Sequence, residues 1–260
     1  MKMKHVEYID CGLMGYGACW EFQRGLFDAL LAAKSRRAEG EEPRTAGHVL
    51  LCEHPHVYTL GKSGKQSNLL VGGEFLRSVG AEFHRIDRGG DITYHGPGQI
   101  VGYPILDLEQ LGMGLREYIH AVEQTVIDTV ADWGIRAGRV EGAAGVWLND
   151  SIRRSGEDID AACGGRLRKI CAIGVRSSRY VTMHGFALNV NTDLKYFSYI
   201  NPCGFADRGA TSIAAETGRE VEMERVREAL LSHLERNMNI KIYKKTNYAN
   251  REKLGCQEAG

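Results

Sequence analysis

Short apolar runs alternate along this chain with amphipathic helical segments, and this alternation is the feature that most limits the folds open to it. Each run has four to six residues, a length typical of strands that are buried or half-buried in a sheet. The five clearest runs cover residues 49–52, 100–103, 145–148, 170–175 and 186–190. Strands that alternate with helices favour an α/β domain over an all-α or all-β domain.

Helical periodicity is strongest in the middle of the chain. Apolar residues recur there at spacings of three and four, namely at Leu115, Tyr118, Ile119, Val122, Val126, Val130 and Trp133. This spacing predicts an amphipathic helix that ends at Gly134. Two further helices are predicted, one from Trp20 to Ala33 and one that carries Val226, Leu230, Leu234 and Met238.

Three polar stretches complete the organisation of the chain. Residues 34–47 and 151–168 are charged and predict loops, and residues from 241 onward form a polar tail that we expect to be loosely held. No stretch between the first strand and the last helix has the composition of a linker. We therefore predict a single domain over residues 1–240, followed by a tail over residues 241–260.

Composition argues against several classes of protein. The 260 residues include 33 basic and 33 acidic ones, and this balance provides no global attraction to nucleic acid or to a membrane surface. No apolar run reaches the ~18 residues of a membrane span, and the first residues lead into no apolar signal core. The seven cysteines are scattered without paired spacing. We therefore expect a cytoplasmic protein with reduced thiols.

The densest chemical signal covers residues 88–99, where four glycines and a proline fall within twelve residues. This composition suits neither a helix nor a strand, and glycine allows a ligand to approach the backbone closely. Polar groups that would orient such a ligand are present at Arg88, Thr93, Tyr94 and His95. The alternative interpretation is a glycine-rich surface turn.

Lys169 and Cys203 are the two candidate reactive side chains. Lys169 stands at the start of the apolar run 170–175, where a lysine usually extends its amine to water. The alternative is a partly desolvated amine with a lowered pKa, which acts as a base. Cys203 lies in a tight turn between Pro202 and Gly204, which can expose its thiol, although a lone cysteine is more often buried. Cys171 is the competing thiol and is interpreted as a core residue.

Two other motifs fail on spacing. Gly61-Lys62-Ser63 ends like a phosphate-binding loop, but His56 occupies the position of the first glycine. Cys52, His54 and His56 are conceivable metal ligands, but no C-x-x-C or H-E-x-x-H pattern supports them. We interpret these three as ordinary loop residues and predict no metal.

Taken in chain order, a set of segments resembles the lipoyl (octanoyl) transferase family. They cover residues 53–61, 88–99, 103–108, 145–147, 169–174, 184–190 and 200–204, and the resemblance spans most of residues 5–240. One departure is the stretch between Trp147 and Lys169, which is longer than is usual in the family and carries Cys163.

The resemblance implies a fold and a set of site residues. The fold is the α/β fold of biotin and lipoate-protein ligases, a mixed β-sheet flanked by helices. Cys203 is implied as the acyl-accepting nucleophile and Lys169 as its partner. Three segments are implied to line the acyl site, namely Arg88, Gly89, Gly90, Asp91, Ile92, Thr93, Tyr94 and His95, then Ala172, Ile173 and Gly174, then Gly185, Phe186 and Ala187.

The implied reaction moves an octanoyl group from octanoyl-acyl carrier protein to a lysine of lipoyl domains. Acceptors of this class include the glycine cleavage H protein and the E2 subunits of 2-oxoacid dehydrogenases, and the reaction is the first step of endogenous lipoate biosynthesis. No cofactor or ATP is implied, because a thioester on Cys203 is close in energy to the donor thioester. Lys169 would accept the thiol proton, and His184 is the alternative base. Gly185 or the Gly89-Gly90 turn would donate to the oxyanion.

Two other classes of function remain open at this point. An ATP-dependent lipoate or biotin ligase shares the implied fold and a lysine in a similar strand, but it does not need Cys203. A non-catalytic module that binds acylated or lipoylated domains needs neither Lys169 nor Cys203. A thioesterase or thiol peroxidase is a weaker third interpretation.

A basic segment surrounds Lys169 in the sequence. Residues 153–179 hold seven basic and three acidic residues, a net charge of +4 within a chain of zero net charge. A basic surface beside the nucleophile would steer an acidic acyl carrier protein toward it. The alternative is a solvated loop whose charges serve solubility.

Overall fold

The computed structural model describes residues 3–38, 45–150, 152, 154–160, 165–201 and 209–244. The strands of this part of the chain are β1 (Lys4–Leu13), β2 (Gly47–Glu53), β3 (Val57–Leu60), β4 (Glu82–Arg85), β5 (Ile92–His95), β6 (Gln99–Leu106), β7 (Gly138–Val140), β8 (Ala143–Leu148), β9 (Asp158–Ile159), β10 (Arg168–Ser178), β11 (Val181–Asn189), β12 (Gly209–Ala210) and β13 (Ile240–Lys244). The helices are α1 (Tyr16–Ala38), α2 (Gly73–Ser78), α3 (Leu108–Leu111), α4 (Leu115–Ala131), α5 (Ile213–Thr217) and α6 (Met223–Met238). All five predicted strands and all three predicted helices are confirmed.

Ten of these strands form one mixed sheet. Its order is β13-β1-β2-β6-β11-β10-β8-β7-β9, and β12 pairs with β10. Strand β1 runs parallel to both of its neighbours, whereas β2, β6, β11, β10 and β8 are antiparallel to one another in turn. A second sheet has three strands in the order β4-β3-β5. The predicted α/β fold with a mixed sheet flanked by helices is confirmed.

Strand β2 shows why the central strands are continuous apolar runs. Successive side chains of a strand face opposite sides of the sheet. Val49 and Leu51 pack into the core that contains α4 and α6, whereas Leu50 and Cys52 pack into the core that contains α1. Helices therefore cover both faces of the sheet, so residues 49–52 of β2 face a core on each side and show no alternation of apolar and polar residues.

Helix α4 begins and ends on local signals. The Gly114 N–H donates to the Glu117 carboxylate over 2.6 Å, which satisfies one of the amides that a helix start leaves unpaired. The helix ends at Ala131, and Gly134 follows with a φ of +75° that glycine adopts easily. Trp133 lies beyond the last helical residue but still packs against the same core.

The structure corrects the predicted loops at three places. Helix α1 continues through Ala38, and its Lys34 amine forms ion pairs with Asp107 and Glu109 at 2.9 and 2.8 Å. Residues 158–159 form β9, which pairs with β7. Residues 241–244 belong to β13, so the prediction of a loosely held tail is wrong there because β1 supplies a parallel partner.

Candidate active site

The strand pair β10–β11 brings two of the predicted site segments together. In its register Ala172 lies opposite Ala187, Ile173 opposite Phe186 and Gly174 opposite Gly185. Residues 172–174 and 185–187 are therefore direct cross-strand neighbours, although eleven or more residues separate them in the sequence. The two segments form one continuous surface in the middle of the large sheet.

The third predicted segment packs against this surface through Arg88 and Gly89. The Gly89 N–H donates to the Val175 carbonyl over 3.0 Å, and a Cβ on Gly174 would lie 3.0 Å from both the Gly89 oxygen and the Arg88 Cδ. The buried Arg88 guanidinium donates to the carbonyl and hydroxyl of Thr59 at 2.7 and 3.0 Å. Because its N–H is already committed to Val175, Gly89 is not a donor for the oxyanion.

Residues 92–95 are a strand, which corrects the prediction that the glycine-rich segment suits no regular structure. Strand β5 pairs with β3, and the buried Ile92 and Tyr94 pack into the core of the small sheet. Thr93 is half-buried between them. Asp91 precedes the strand, and its carboxylate accepts from the Ile92 N–H at 2.7 Å and from the Asn68 amide. The glycines thus flank a short strand and allow it to turn at both ends.

His95 is a buried, neutral imidazole. Its Nδ1–H donates to the side-chain amide oxygen (Oε1) of Gln99 over 2.8 Å, and its ring stacks on Tyr16 with centroids 5.9 Å apart. Burial lowers the pKa of His95 to about 3. The Nε2 lone pair is therefore available as an acceptor.

A chain of amides links His95 to the neighbourhood of Lys169. Gln99 Nε2 donates to the Asn189 side chain over 2.8 Å, and Asn189 Nδ2 donates to the Thr211 carbonyl over 2.9 Å. The Thr211 N–H in turn donates to the Lys169 carbonyl over 3.0 Å. None of these connecting residues was predicted for the site, because their roles depend on long-range pairing rather than on residue type.

Lys169 lies on β10 beside β8. Its Nζ is 4.3 Å from the ring centroid of Trp147 and 3.3 Å from the Ala144 carbonyl oxygen. The register between β10 and β8 shifts between Lys169 and Cys171, and the adjacent Ile170 and Cys171 are both fully buried. A shift of this kind changes which face a side chain occupies. Lys169 is therefore half-buried at the point where the regular alternation of the strand breaks.

Gly145 on β8 allows the close approach of Lys169. Its φ is +125°, and a Cβ there would lie 2.5 Å from the Cys171 carbonyl oxygen and 3.5 Å from the Lys169 Cε. The Gly145 N–H donates to the buried carboxylate of Glu123 over 3.1 Å. Glu123 on α4 thus fixes the backbone beside the amine, a role that the sequence pattern did not indicate.

Cys203 lies outside the described residues, and the nearest described residues on its two sides are Asn201 and Gly209. The Asn201 N–H donates to the Asn68 carbonyl over 2.8 Å, and the Asn68 side chain donates to the Asp91 carboxylate. On the other side, Ala210 pairs directly with Lys169 in the β10–β12 ladder. One flank of the segment therefore pairs directly with Lys169, and the other reaches Asp91 through Asn68.

The described cysteines are all buried. They are Cys11, Cys19, Cys52 and Cys171. Burial raises the pKa of the Cys171 thiol far above its ordinary value, so it remains a protonated and weak nucleophile. The interpretation of Cys171 as a core residue is confirmed.

His184, the alternative base, lies on β11, away from Lys169. It pairs with Val175, six residues from Lys169 and therefore ~20 Å away along the strand. Its Nε2–H donates to the Asp87 carboxylate over 2.8 Å, and that bond together with Arg176 lowers the pKa of Asp87 to about 2. The pKa of His184 is lowered by burial, its φ is +61°, and its Nδ1 has no hydrogen-bond partner among the described residues.

The basic segment around Lys169 is partly neutralised by acids that come from outside it. Arg168 pairs with Asp150 at 2.8 Å and with Glu216 at 3.0 Å, and Arg176 pairs with Asp87. Arg166 stays exposed, and its guanidinium lies beside Gly209, the first described residue after the Cys203 segment. The net charge counted along the sequence therefore overstates the positive surface, because tertiary ion pairs remove two of its cations.

Two solved structures share this fold over nearly the whole chain. An archaeal bipartite lipoate protein ligase from Thermoplasma acidophilum, studied with its E2 lipoyl domain, superposes with a TM-score of 0.65 at 15% identity and covers 98% of this chain and 91% of its own. A lipoate-protein ligase A bound with ATP gives 0.62 at 16% identity, with 98% and 93% covered. The fold is therefore that of the lipoate-protein ligases.

Sequence comparison defines the family within that fold. The family model of the lipoyl protein ligase A/B catalytic domain matches residues 18–235. An octanoyltransferase of Bacteroides fragilis (strain YCH46) is 55% identical over 85% of this chain and 92% of its own length, and one of Bacteroides thetaiotaomicron is 52% identical over 90% and 95%. This chain belongs to the lipoyl protein ligase A/B catalytic domain family, among its octanoyltransferases, and it is an acyltransferase. Of the helices in the described ranges, none is long and apolar enough to cross a membrane.

Proposed function

We propose that this acyltransferase moves an octanoyl group from octanoyl-acyl carrier protein to a specific lysine of lipoyl domains, through a thioester on Cys203. The observation that carries the proposal is the position of Lys169, a half-buried amine paired through its backbone with the segment that leads away from Cys203. Acceptors would include the glycine cleavage H protein and the E2 subunits of 2-oxoacid dehydrogenases.

Elimination among the thiols supports Cys203 as the nucleophile. All four cysteines in the described ranges are buried, and a buried protonated thiol is a poor nucleophile. Of the remaining three, Cys163 and Cys256 lie in the extended loop and the tail, whereas the neighbours of Cys203 contact Asn68 and Lys169. Cys203 is therefore the thiol whose flanks are attached to the site.

In the first half-reaction Lys169 accepts the proton of the Cys203 thiol. The thiolate attacks the donor carbonyl and the acyl group stays on Cys203 as a thioester, while the leaving carrier-protein thiolate takes the proton from Lys169 and returns the amine to its neutral form. The exchange of one thioester for another is nearly neutral in free energy, so no ATP is needed. The acyl chain would lie along the surface formed by residues 172–174 and 185–187.

The second half-reaction needs a base again. The acceptor lysine arrives mostly as ammonium and must lose a proton before its nitrogen attacks the Cys203 thioester. Lys169 would take that proton, the amide forms, and the departing Cys203 thiolate is reprotonated. His184 is a poor alternative because it lies on β11, away from Lys169, and its Nε2 is committed to Asp87.

Intact-mass measurement after mixing with octanoyl-carrier protein tests this proposal. We expect one octanoyl adduct on a peptide that contains Cys203, no adduct in Cys203→Ala, and a full adduct in the matched control Cys171→Ala. An adduct that persists in Cys203→Ala would overturn the nucleophile. Formation of octanoyl-adenylate from ATP and free octanoate, without transfer from the carrier thioester, would favour the ATP-dependent ligase instead.

A further inference from the structure

A cluster of soft donor atoms lies in the core beneath the candidate active site, and the proposed transfer reaction does not use it. It consists of Cys19 on α1, Cys52 on β2 and His54 directly after β2. Their ligand atoms all lie within 4.8 Å of one another, and Cys52 Sγ is 3.4 Å from His54 Nε2. We call this the Cys19–Cys52–His54 cluster.

The tautomer of His54 suits a metal ligand. Its Nδ1–H donates to the Met14 carbonyl over 2.6 Å, and a carbonyl oxygen can only accept. The Nε2 lone pair therefore faces the thiols, where it now accepts from the Tyr103 hydroxyl at 2.8 Å. A backbone carbonyl that fixes the far nitrogen is the usual outer partner of a metal-bound histidine.

The three side chains are fully buried. They lie in the core that contains α1, away from the charged side chains of the described residues that could balance a cation in their place. Among the described residues, the hydrogen bonds of the two thiols to groups outside the cluster are long, from Gln23 Nε2 to Cys19 Sγ over 3.8 Å and from Cys52 Sγ to the Val101 carbonyl over 3.8 Å. A divalent cation would instead balance two thiolates in the same space.

We propose that Cys19, Cys52 and His54 bind a closed-shell thiophilic cation of the Zn²⁺ class. Two thiolates and one imidazole are a donor set that zinc prefers, and tetrahedral bonds place a sulfur and a nitrogen ligand about 3.6 Å apart. The observed separation of 3.4 Å needs little adjustment. Binding replaces two thiol protons by two metal–sulfur bonds, so two protons are released, and the Tyr103 hydroxyl is the group placed to fill the fourth position.

The cluster connects elements that also support the acyl site. Gln23, which contacts Cys19, accepts from the His184 N–H over 3.3 Å, and Tyr16 contacts both His54 and His95 through its ring. A bound cation would therefore fasten α1 to β2 behind the strand pair that carries Gly174 and Gly185. The proposal stands independently of the transfer reaction, since none of its ligands takes part in that reaction.

Zinc binding by the full-length reduced protein tests the proposal. We expect wild type to hold one equivalent of Zn²⁺ against a competing chelator, and Cys19→Ala and Cys52→Ala to bind at least ~100-fold more weakly, more than the loss of an outer partner costs. Cys171→Ala is the matched control, because it removes an equally buried thiol from another part of the core. Metal content is measured directly, so the result does not depend on activity.

Two outcomes would overturn the site. One is wild type that binds no zinc beyond what Cys19→Ala binds, and the other is a loss of affinity in Cys171→Ala equal to that in Cys52→Ala. If the ligand variants fail to fold, X-ray absorption spectroscopy of zinc-loaded wild type identifies the atoms that bind the zinc. Two sulfur ligands and one imidazole support the cluster, whereas fewer than two sulfurs or no imidazole rejects it.

Discussion

The two ends of strand β10 are built in opposite ways. Around Gly174 the chain packs closely against Arg88 and Gly89, and burial lowers the pKa of His184 on the paired strand. Around Lys169 the strand register shifts, and the half-buried Lys169 amine lies over the Trp147 ring. The neighbouring Arg168 forms an ion pair with Glu216. We infer from this contrast that the part of β10 around Gly174 shapes a binding surface and that the part around Lys169 transfers protons.

The largest effect is expected at the Lys169 end. Lys169→Met should slow both half-reactions by at least ~100-fold, the scale of a lost general base. Lys169→Arg should not restore them, because arginine stays protonated and cannot accept the thiol proton. Single-turnover acylation and transfer rates measure both steps. Lys195→Met is the matched control, since Lys195 also lies over an aromatic ring, that of Tyr196, at 5.2 Å.

Recovery of activity in Lys169→Arg would contradict the division between the two ends. It would mean that the side chain at position 169 contributes only a positive charge to catalysis. A large loss in Lys195→Met would show that any lysine–ring contact matters, and the special position of Lys169 would no longer be supported.

A substitution at the Gly174 end should change binding rather than chemistry. In Gly174→Ala the new Cβ meets Arg88 and Gly89 at 3.0 Å, and overpacking of this kind costs roughly 1–3 kcal/mol. We expect KM for the octanoyl donor to rise, by about tenfold where ~1.4 kcal/mol of donor binding is lost, while kcat changes little. Steady-state kinetics with donors of different chain length measure the effect.

Gly25→Ala is the control for that substitution. Gly25 lies in α1 with no atom within 4 Å of the added Cβ, so alanine should stabilise the helix by roughly 0.5–1 kcal/mol. KM should not move. If Gly174→Ala left KM unchanged while lowering kcat as Lys169→Met does, the proposed difference between the two ends of β10 would be wrong.

Acid should destabilise the protein through two buried, neutral histidines, His54 and His95. Burial lowers the pKa of His54 to about 4 and of His95 to about 3, below the ~6.5 of an unfolded histidine. Between these values the unfolded chain binds protons that the folded chain does not. The free energy of unfolding should therefore fall by ~1.4 kcal/mol per pH unit for each histidine as pH drops below ~6.5.

Urea unfolding over this pH range measures that slope. His54→Gln should reduce the slope by about the contribution of one histidine, ~1.4 kcal/mol per pH unit. A slope that does not depend on His54 would show that its imidazole is not kept neutral by burial.

The smallest effect is expected from the basic surface beside Lys169. Replacement of Arg153, Arg154 and Arg166 by Ser should raise KM for octanoyl-carrier protein a few-fold and flatten its dependence on salt, because exposed charges are screened. Arg154 and Arg166 are exposed, and Arg153 lies outside the described residues. Activity with a small uncharged octanoyl thioester should change little.

The control replaces Arg24, Arg116 and Arg225, which are exposed on three helices of the fold. Equal losses on the carrier-bound and the small donor would mean that the arginines support the site's structure. No loss on either donor would leave the solvated-loop interpretation in place.

Much of the fold and part of the site follow from local pattern. The runs at 170–175 and 186–190 predict strands because they are apolar and short, and the structure has β10 and β11 there. The strands at 92–95 and 241–244 were missed because glycine-rich or polar sequence flanks them, although Ile, Thr and Tyr within them favour strands. Both are short, and each is completed by hydrogen bonds to a strand that is distant in the sequence or follows a turn.

The amino-acid sequence by itself determined the strands and helices with strong periodicity, the family, and the residue types at Lys169 and Gly174. Only the tertiary structure decided which groups meet: Trp147 under the Lys169 amine, Asp87 on His184, and Cys19 beside Cys52 and His54. The physical reason is that periodicity reports which face of an element is apolar, whereas contacts between distant side chains depend on strand order and register. Those contacts set the charge and burial of each group, and therefore its chemistry.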